Sequence, residues 1–186
     1  SKRGEPRPNL GESESYSDER FTIHYTLSGI NAPPEEDDNS NGTPDYIEAV
    51  LLAANTSYDF ILGLEYDDRY ISDCSNDCTD FGGDSSYDIY IKNLPASPTS
   101  ATYGENILDI GDLGTSFIEI DNGFTETYYH SQELEAMKIT IAHELFHAFQ
   151  RSYRIIPDDE VFFYEMSSVW IEDLIYPDIN DYIHDV

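Results

Sequence analysis

The chain predicts an α+β fold, a small mixed or antiparallel sheet packed on one long helix and the helix that follows it. Two observations carry this. Alternating, β-branched segments come early, at 21–27, 87–94 and 116–121, and the longest helical periods come late. Neither an internal repeat nor a regular strand–helix alternation runs through the chain, which argues against a parallel βαβ architecture. The 186 residues suffice for one domain with a real core, and aromatic residues make up 13% of them.

Residues 1–19 are polar, rich in Pro, Gly and Ser, and read as a flexible leader, extended or disordered. Residues 20–186 form the single domain. Phe21, Ile23, Tyr25 and Leu27 alternate with Thr22, His24 and Thr26, a half-buried strand. Residues 29–41 are loop. Pro44 opens a helix in which Ile47, Val50, Leu51, Ala54, Tyr58, Ile61 and Leu62 recur at helical spacing, and Gly63 ends it. An acidic, loop-rich stretch, 67–86, precedes the 87–94 strand, which Pro95 and Pro98 terminate. The 116–121 segment is a further strand, closed by Asp121-Asn122-Gly123.

A helix follows from about Ser131, a capping residue, to Tyr153, with Glu133 and Glu135 in its first turn and Arg151 and Arg154 at its end. Pro157 separates it from a last helix, 159–176, carrying Phe162, Phe163, Met166, Val169, Trp170, Leu174 and Ile175 and stopped by Pro177.

Acidic residues number 38 against 9 basic ones, a formal net charge of −29. Such a surface repels nucleic acid and anionic membranes and favours cations. No apolar run approaches the roughly 18 residues a membrane span needs. Cys74 and Cys78 lie four residues apart in a polar loop. That spacing suits a small disulfide-closed loop in an oxidising, extracellular setting; free thiols or half a metal site are the alternatives.

Chemistry concentrates in Ile139–Gln150, ITIAHELFHAFQ. His143-Glu144-Leu145-Phe146-His147 is an H-E-x-x-H motif. On a helix, positions i and i+4 differ by about 40° around the axis and about 6 Å along it. Both imidazoles then reach one zinc ion, with Glu144 beside them as general base. The bland alternative is two satisfied helix histidines beside a surface glutamate. The motif's apolar surroundings speak against it, because buried imidazoles need partners. A third histidine six residues beyond His147 would stand at Tyr153, so the remaining ligand is a carboxylate. Glu165, 18 residues after His147, is favoured over Glu172. Glu172 or Asp173 is then placed to accept a hydrogen bond from a ligating histidine.

A second cation motif spans residues 37–48. Asp37, Asn39, Asn41, Asp45 and Glu48 fall at positions 1, 3, 5, 9 and 12 of a calcium loop, with Gly42 at 6 and the Thr43 carbonyl at 7. Pro33-Pro34 leaves no room for an entering helix, and an ion-free Asx-rich turn is the plain alternative.

His143-Glu144-x-x-His147 with Glu165 on a following helix resembles the gluzincin (thermolysin-like) zinc metallopeptidases, as does Phe163–Trp170. The resemblance is closer to a group of secreted bacterial metalloproteases that combine NGxPDY, AHExFHxxQ and W-x-E-D…YP…NDY segments. Here these are Asn41–Tyr46, Ala142–Gln150 and Trp170–Tyr182. It implies a zincin-like fold and a secreted, monomeric, calcium-stabilised zinc endopeptidase acting on peptide or protein substrates. Gluzincins usually add a C-terminal subdomain bearing a Tyr or His that steadies the oxyanion. This chain ends soon after the glutamate helix, so that residue is missing, lies beyond this sequence, or is replaced by a local group, Tyr164, Tyr182 or His184. The 116–121 strand is the expected edge on which a peptide lies. A non-catalytic, metal-stabilised binding module is the rival from another class. A proenzyme, active only after loss of residues 1–19, is a third reading.

Overall fold

The computed structural model describes residues 6–67, 82, 85–94, 96–97, 100–101, 103–109, 115–125, 132–153 and 161–179. Alternation organises its sheet. Strand β1 (Glu14–Ser17) pairs antiparallel with β2 (Phe21–Tyr25). Helix α1 (Asp45–Gly63) intervenes before β3 (Tyr87–Lys92). A two-stranded hairpin, β4 (Ala96–Ser97) and β5 (Ser100–Ala101), leads to β6 (Gly104–Leu108) and β7 (Ser116–Asp121). Helices α2 (Glu133–Tyr153) and α3 (Val161–Ile175) complete the described fold. The five-stranded sheet runs β1-β2-β3-β7-β6, parallel at β2–β3 and β3–β7 and antiparallel at both edges. The architecture is α+β with a mixed sheet.

Phe21, Ile23, Tyr25, Tyr87, Ile89, Ile91, Ile118 and Ile120 face the helices and share one core with α1 and α2. Each strand contributes every second residue to that face, as the pleat requires. Within it, Tyr58 of α1 meets Phe21 edge-on at 5.8 Å and Phe149 of α2 at 5.7 Å. α3 turns Ser168 and Ile171 inward, while Phe162, Phe163, Met166 and Trp170 are exposed. Its apolar residues therefore do not mark its buried face.

The leader departs from the sequence expectation. Residues 14–17 form a strand, and Arg7 anchors the segment on the sheet face opposite the helices. Its Nη1 donates to Asp88 Oδ2 at 2.8 Å, and Nε and Nη2 grip Asp109 at 2.8 and 3.1 Å. The guanidinium lies 4.6 Å from the Phe117 ring centroid. Leu10 packs beside it on Tyr90, Ile107 and Phe117. Burial pushes the Asp109 carboxyl up, and the Arg7 charge opposes that push. Asp88 is also held by His24 Nε2 at 2.5 Å, and the His24 ring stacks on Tyr90. β1 escaped notice because its residues, ESYS, are polar and mostly exposed, so no alternation marks them.

Arg7→Ala strips the guanidinium from two buried carboxylates. Breaking such a pair by removing one partner costs about 3–5 kcal/mol. Urea unfolding should report a loss of that size. A change below about 1 kcal/mol would mean the segment contributes nothing to the fold.

The 116–121 strand also departs from expectation. β7 lies between β3 and β6 and is buried along its whole length, so it is not the edge. The edge is β6, whose sequence GENIL carries a glycine and two polar residues and gave no strand signal. Cys74, Cys78, Ser131, Pro157, Tyr182 and His184 lie outside the described residues.

Candidate metal centre

Helix α2 presents its motif between β6 on one side and α3 on the other. Gly104 permits the close approach of β6. A Cβ there would stand 2.6 Å from Thr140 Cγ2 and 3.2 Å from Glu144 Cγ. Glu144 is 8% and His147 6% exposed, so both are set into the fold rather than on its surface.

Each imidazole is anchored through Nδ1. His143 Nδ1 lies 2.5 Å from Glu172 Oε1. His147 Nδ1 lies 2.8 Å from Gln150 Oε1 and 3.2 Å from Ser168 Oγ. The two Nε2 atoms are thereby turned to a common point, where Glu165 Oε2 sits 3.1 Å from His143 Nε2 and 3.5 Å from His147 Nε2. One donor atom from each of the three residues lies within 4.8 Å of the others. Bonds of about 2.05 Å at tetrahedral angles separate zinc ligands by about 3.3 Å. The two spacings to Glu165 Oε2, 3.1 and 3.5 Å, bracket that edge length, and the His/His/Glu donor types suit zinc. Among the described residues this is the one group of three or more His, Cys, Asp or Glu with such convergence.

Burial alone would push His143 down, but hydrogen bonds with Glu165 and Glu172 and the Glu144 charge outweigh it and raise its pKa to about 10. Hydrogen bonds from His143 and His147 hold the Glu165 carboxyl well below the usual carboxylate range, against the upward push of its partial burial. Metal ligation requires neutral imidazole, so an ion at this group would have to displace the His143 proton.

Of the two carboxylates about two turns beyond Glu165 on α3, Glu172 and Asp173, Glu172 is the one that meets His143. A cleft of about 210 Å³ opens over the group, lined by Gly104, Glu105, Asn106, His143, Glu144, His147, Arg151 and Glu165. Tyr164 is not among these residues; its carbonyl accepts from Gln150 Nε2 at 3.4 Å. The described part of the leader is not among them either.

Three participants carried no functional signal in the sequence reading. Gln150 spans His147 and Ser167 Oγ, tying the ligand ring to α3. Asn106 donates its main-chain N–H to Glu144 Oε2 at 2.8 Å. Arg151 is buried and donates to the Asn106 carbonyl at 2.5 Å and to Asn106 Oδ1. Arg151 was legible in principle, being four and seven residues past His147 and Glu144 on one helix face. Asn106 was not, because only tertiary packing brings β6 to α2.

The 37–48 loop folds around its own oxygens. Asp37 accepts from the main-chain N–H of Asn41 and Gly42 at 3.1 and 2.9 Å, and Asn41 Oδ1 accepts from Thr43 N–H at 2.8 Å. Asp45 receives the Asp38 N–H at 3.1 Å. The turn passes through Ser40 at φ 58° and Gly42 at φ 92°, the left-handed region that glycine enters freely. The amides of Asn39 and Asn41 donate to the two Glu48 oxygens at 2.8 and 2.6 Å. The Glu48 carboxylate thus closes over the loop, held by the amides of Asn39 and Asn41.

No family model, curated protein or solved structure matches this chain.

Proposed function

We propose that the chain is a secreted zinc endopeptidase of gluzincin type, stabilised by calcium. The observation that carries this reading is the convergence of His143 Nε2, His147 Nε2 and Glu165 Oε2 beside the Glu144 carboxylate, in a cleft bounded by a sheet edge. His143, His147 and Glu165 would hold the ion, and Glu172, Gln150 and Ser168 fix the two rings. Zinc, when bound, would polarise the scissile carbonyl and acidify water. Glu144, beside the group in the cleft, is the base that would accept a proton from water and return it to the leaving amine.

β6, the sheet edge, lines the cleft through Gly104, Glu105 and Asn106 and is the side along which the peptide lies; the N–H and carbonyl of Asn106 are taken by Glu144 and Arg151, so the peptide does not pair with them. The scarcity of positive charge favours neutral or basic peptides over acidic ones. No helix among the described residues is long and apolar enough to cross a membrane. The acidic surface disfavours nucleic acid, and the working form is a monomer.

Digestion of an unfolded protein such as casein tests the reading. Cleavage should stop with a zinc chelator and return with added zinc. A zinc-loaded chain that cleaves nothing would point to the non-catalytic binding module instead.

In the 37–48 loop, calcium would replace the amide contacts at Glu48. Asp37→Ala should abolish a calcium-dependent rise in melting temperature that the parent shows. A parent whose melting temperature ignores millimolar calcium would remove calcium from the account.

A further inference from the structure

Asn106 is 3% exposed, and each of its polar groups is engaged. Its main-chain N–H donates to Glu144 Oε2 at 2.8 Å. Its Nδ2 donates to Tyr87 Oη at 2.7 Å and to Ser116 Oγ at 3.2 Å. Arg151 Nη1 donates to its carbonyl at 2.5 Å and also to its Oδ1. The amide orientation is consistent, since a guanidinium only donates and must face the oxygen. Arg151 is itself 5% exposed, in a chain with 9 basic residues in all. A buried charge needs close partners, and here one guanidinium nitrogen, Nη1, at the far end of the side chain supplies both bonds to Asn106. Glu144 and Arg151 are two turns apart on α2, so one helix grips both outward main-chain groups of a single strand residue.

We infer that Arg151 is the positioning residue for Glu144: by holding the carbonyl and side chain of Asn106, it fixes the N–H that orients the Glu144 carboxylate in the cleft. With Oε2 occupied by that N–H, the incoming proton is directed to Oε1. The kinetic consequence rests on the peptidase reading; the contact itself does not.

Arg151→Lys keeps the charge but ends one bond short of Nη1, which withdraws the donor from both Asn106 oxygens. Zinc content should stay complete and KM should stay within about two-fold of the parent. Loss of an orienting partner typically costs about 10–100-fold, and kcat should fall by that factor. Added to Glu144→Gln, the same change should cause no further loss. In the metal-free protein, the Asn106 amide resonance of Arg151→Lys should move toward its position in Glu144→Gln at the same pH. An unmoved amide, or an equal kcat loss in both backgrounds, overturns the inference. If Arg151→Lys does not fold, Ser116→Ala loosens Asn106 from its other side. The amide should then move by a smaller step, and an unmoved amide there also overturns the inference. A parent that cleaves no peptide defeats only the peptidase reading. Movement of the amide would still support the positioning contact.

Discussion

Glu144→Gln leaves the zinc content of the protein unchanged and lowers peptide hydrolysis by about 10²–10⁴-fold, the usual contribution of a positioned general base. The geometry separates the two effects. Glu144 is held by the Asn106 N–H, and the donor atoms of the metal group come from His143, His147 and Glu165. The glutamine amide has nearly the shape of the carboxylate and can still accept that N–H through its oxygen, but it cannot take a proton from water. Metal analysis and kinetics on the same preparation check the result. Undiminished cleavage would remove Glu144 from the mechanism, and loss of zinc would make it a ligand.

Glu165→Ala strips zinc from the protein far more completely than Glu172→Ala. Glu165 Oε2 sits within 3.5 Å of both Nε2 atoms, at the place of the third ligand. Glu172 touches only Nδ1 of His143 and orients that ring. Loss of an orienting partner typically costs about 10–100-fold in metal affinity, whereas loss of a ligand leaves only two of three protein donors. The free His143 imidazole also competes through its proton. Removing Glu165 removes a group that raises its pKa, so the variant binds that proton less tightly and still loses the metal. Competition with a chromogenic chelator at fixed pH measures both affinities. A larger loss for Glu172→Ala would exchange the two roles.

Local pattern made α1, β2, β3, β7, α2 and α3 legible, because each carries its own apolar period or alternation. β1 and β6 lacked one. β1 is four mostly exposed residues, and β6 contains the glycine that its packing on Thr140 and Glu144 requires. Strand order was equally hidden. Residues 116–121 look like any half-buried strand, and only the placement of β6 outside β7 shows where the sheet ends. On α3, Ser168 and Ile171 face inward while Phe162, Phe163, Met166 and Trp170 are exposed, so hydrophobicity alone does not mark its inner face.

The candidate site divides along the same line. His143, Glu144 and His147 follow from helix geometry, and Glu165 and Glu172 from their spacing on the next helix. Gln150 lay inside the quoted motif, yet its contact with His147 depends on a rotamer that spacing does not specify. Asn106 reaches the site from 38 residues away through a main-chain N–H, which any residue type would supply. The leader's anchor is similar: Arg7 finds Asp109 across 102 residues, and nothing near Arg7 in the chain announces it.

Diffraction data collected on both sides of the zinc absorption edge, from crystals of the zinc-loaded protein, test the central claim most directly. The account requires one strong anomalous peak bonded to His143 Nε2, His147 Nε2 and a Glu165 carboxylate oxygen at about 2.0–2.2 Å. A peak elsewhere, or none there despite full zinc occupancy in solution, would contradict it.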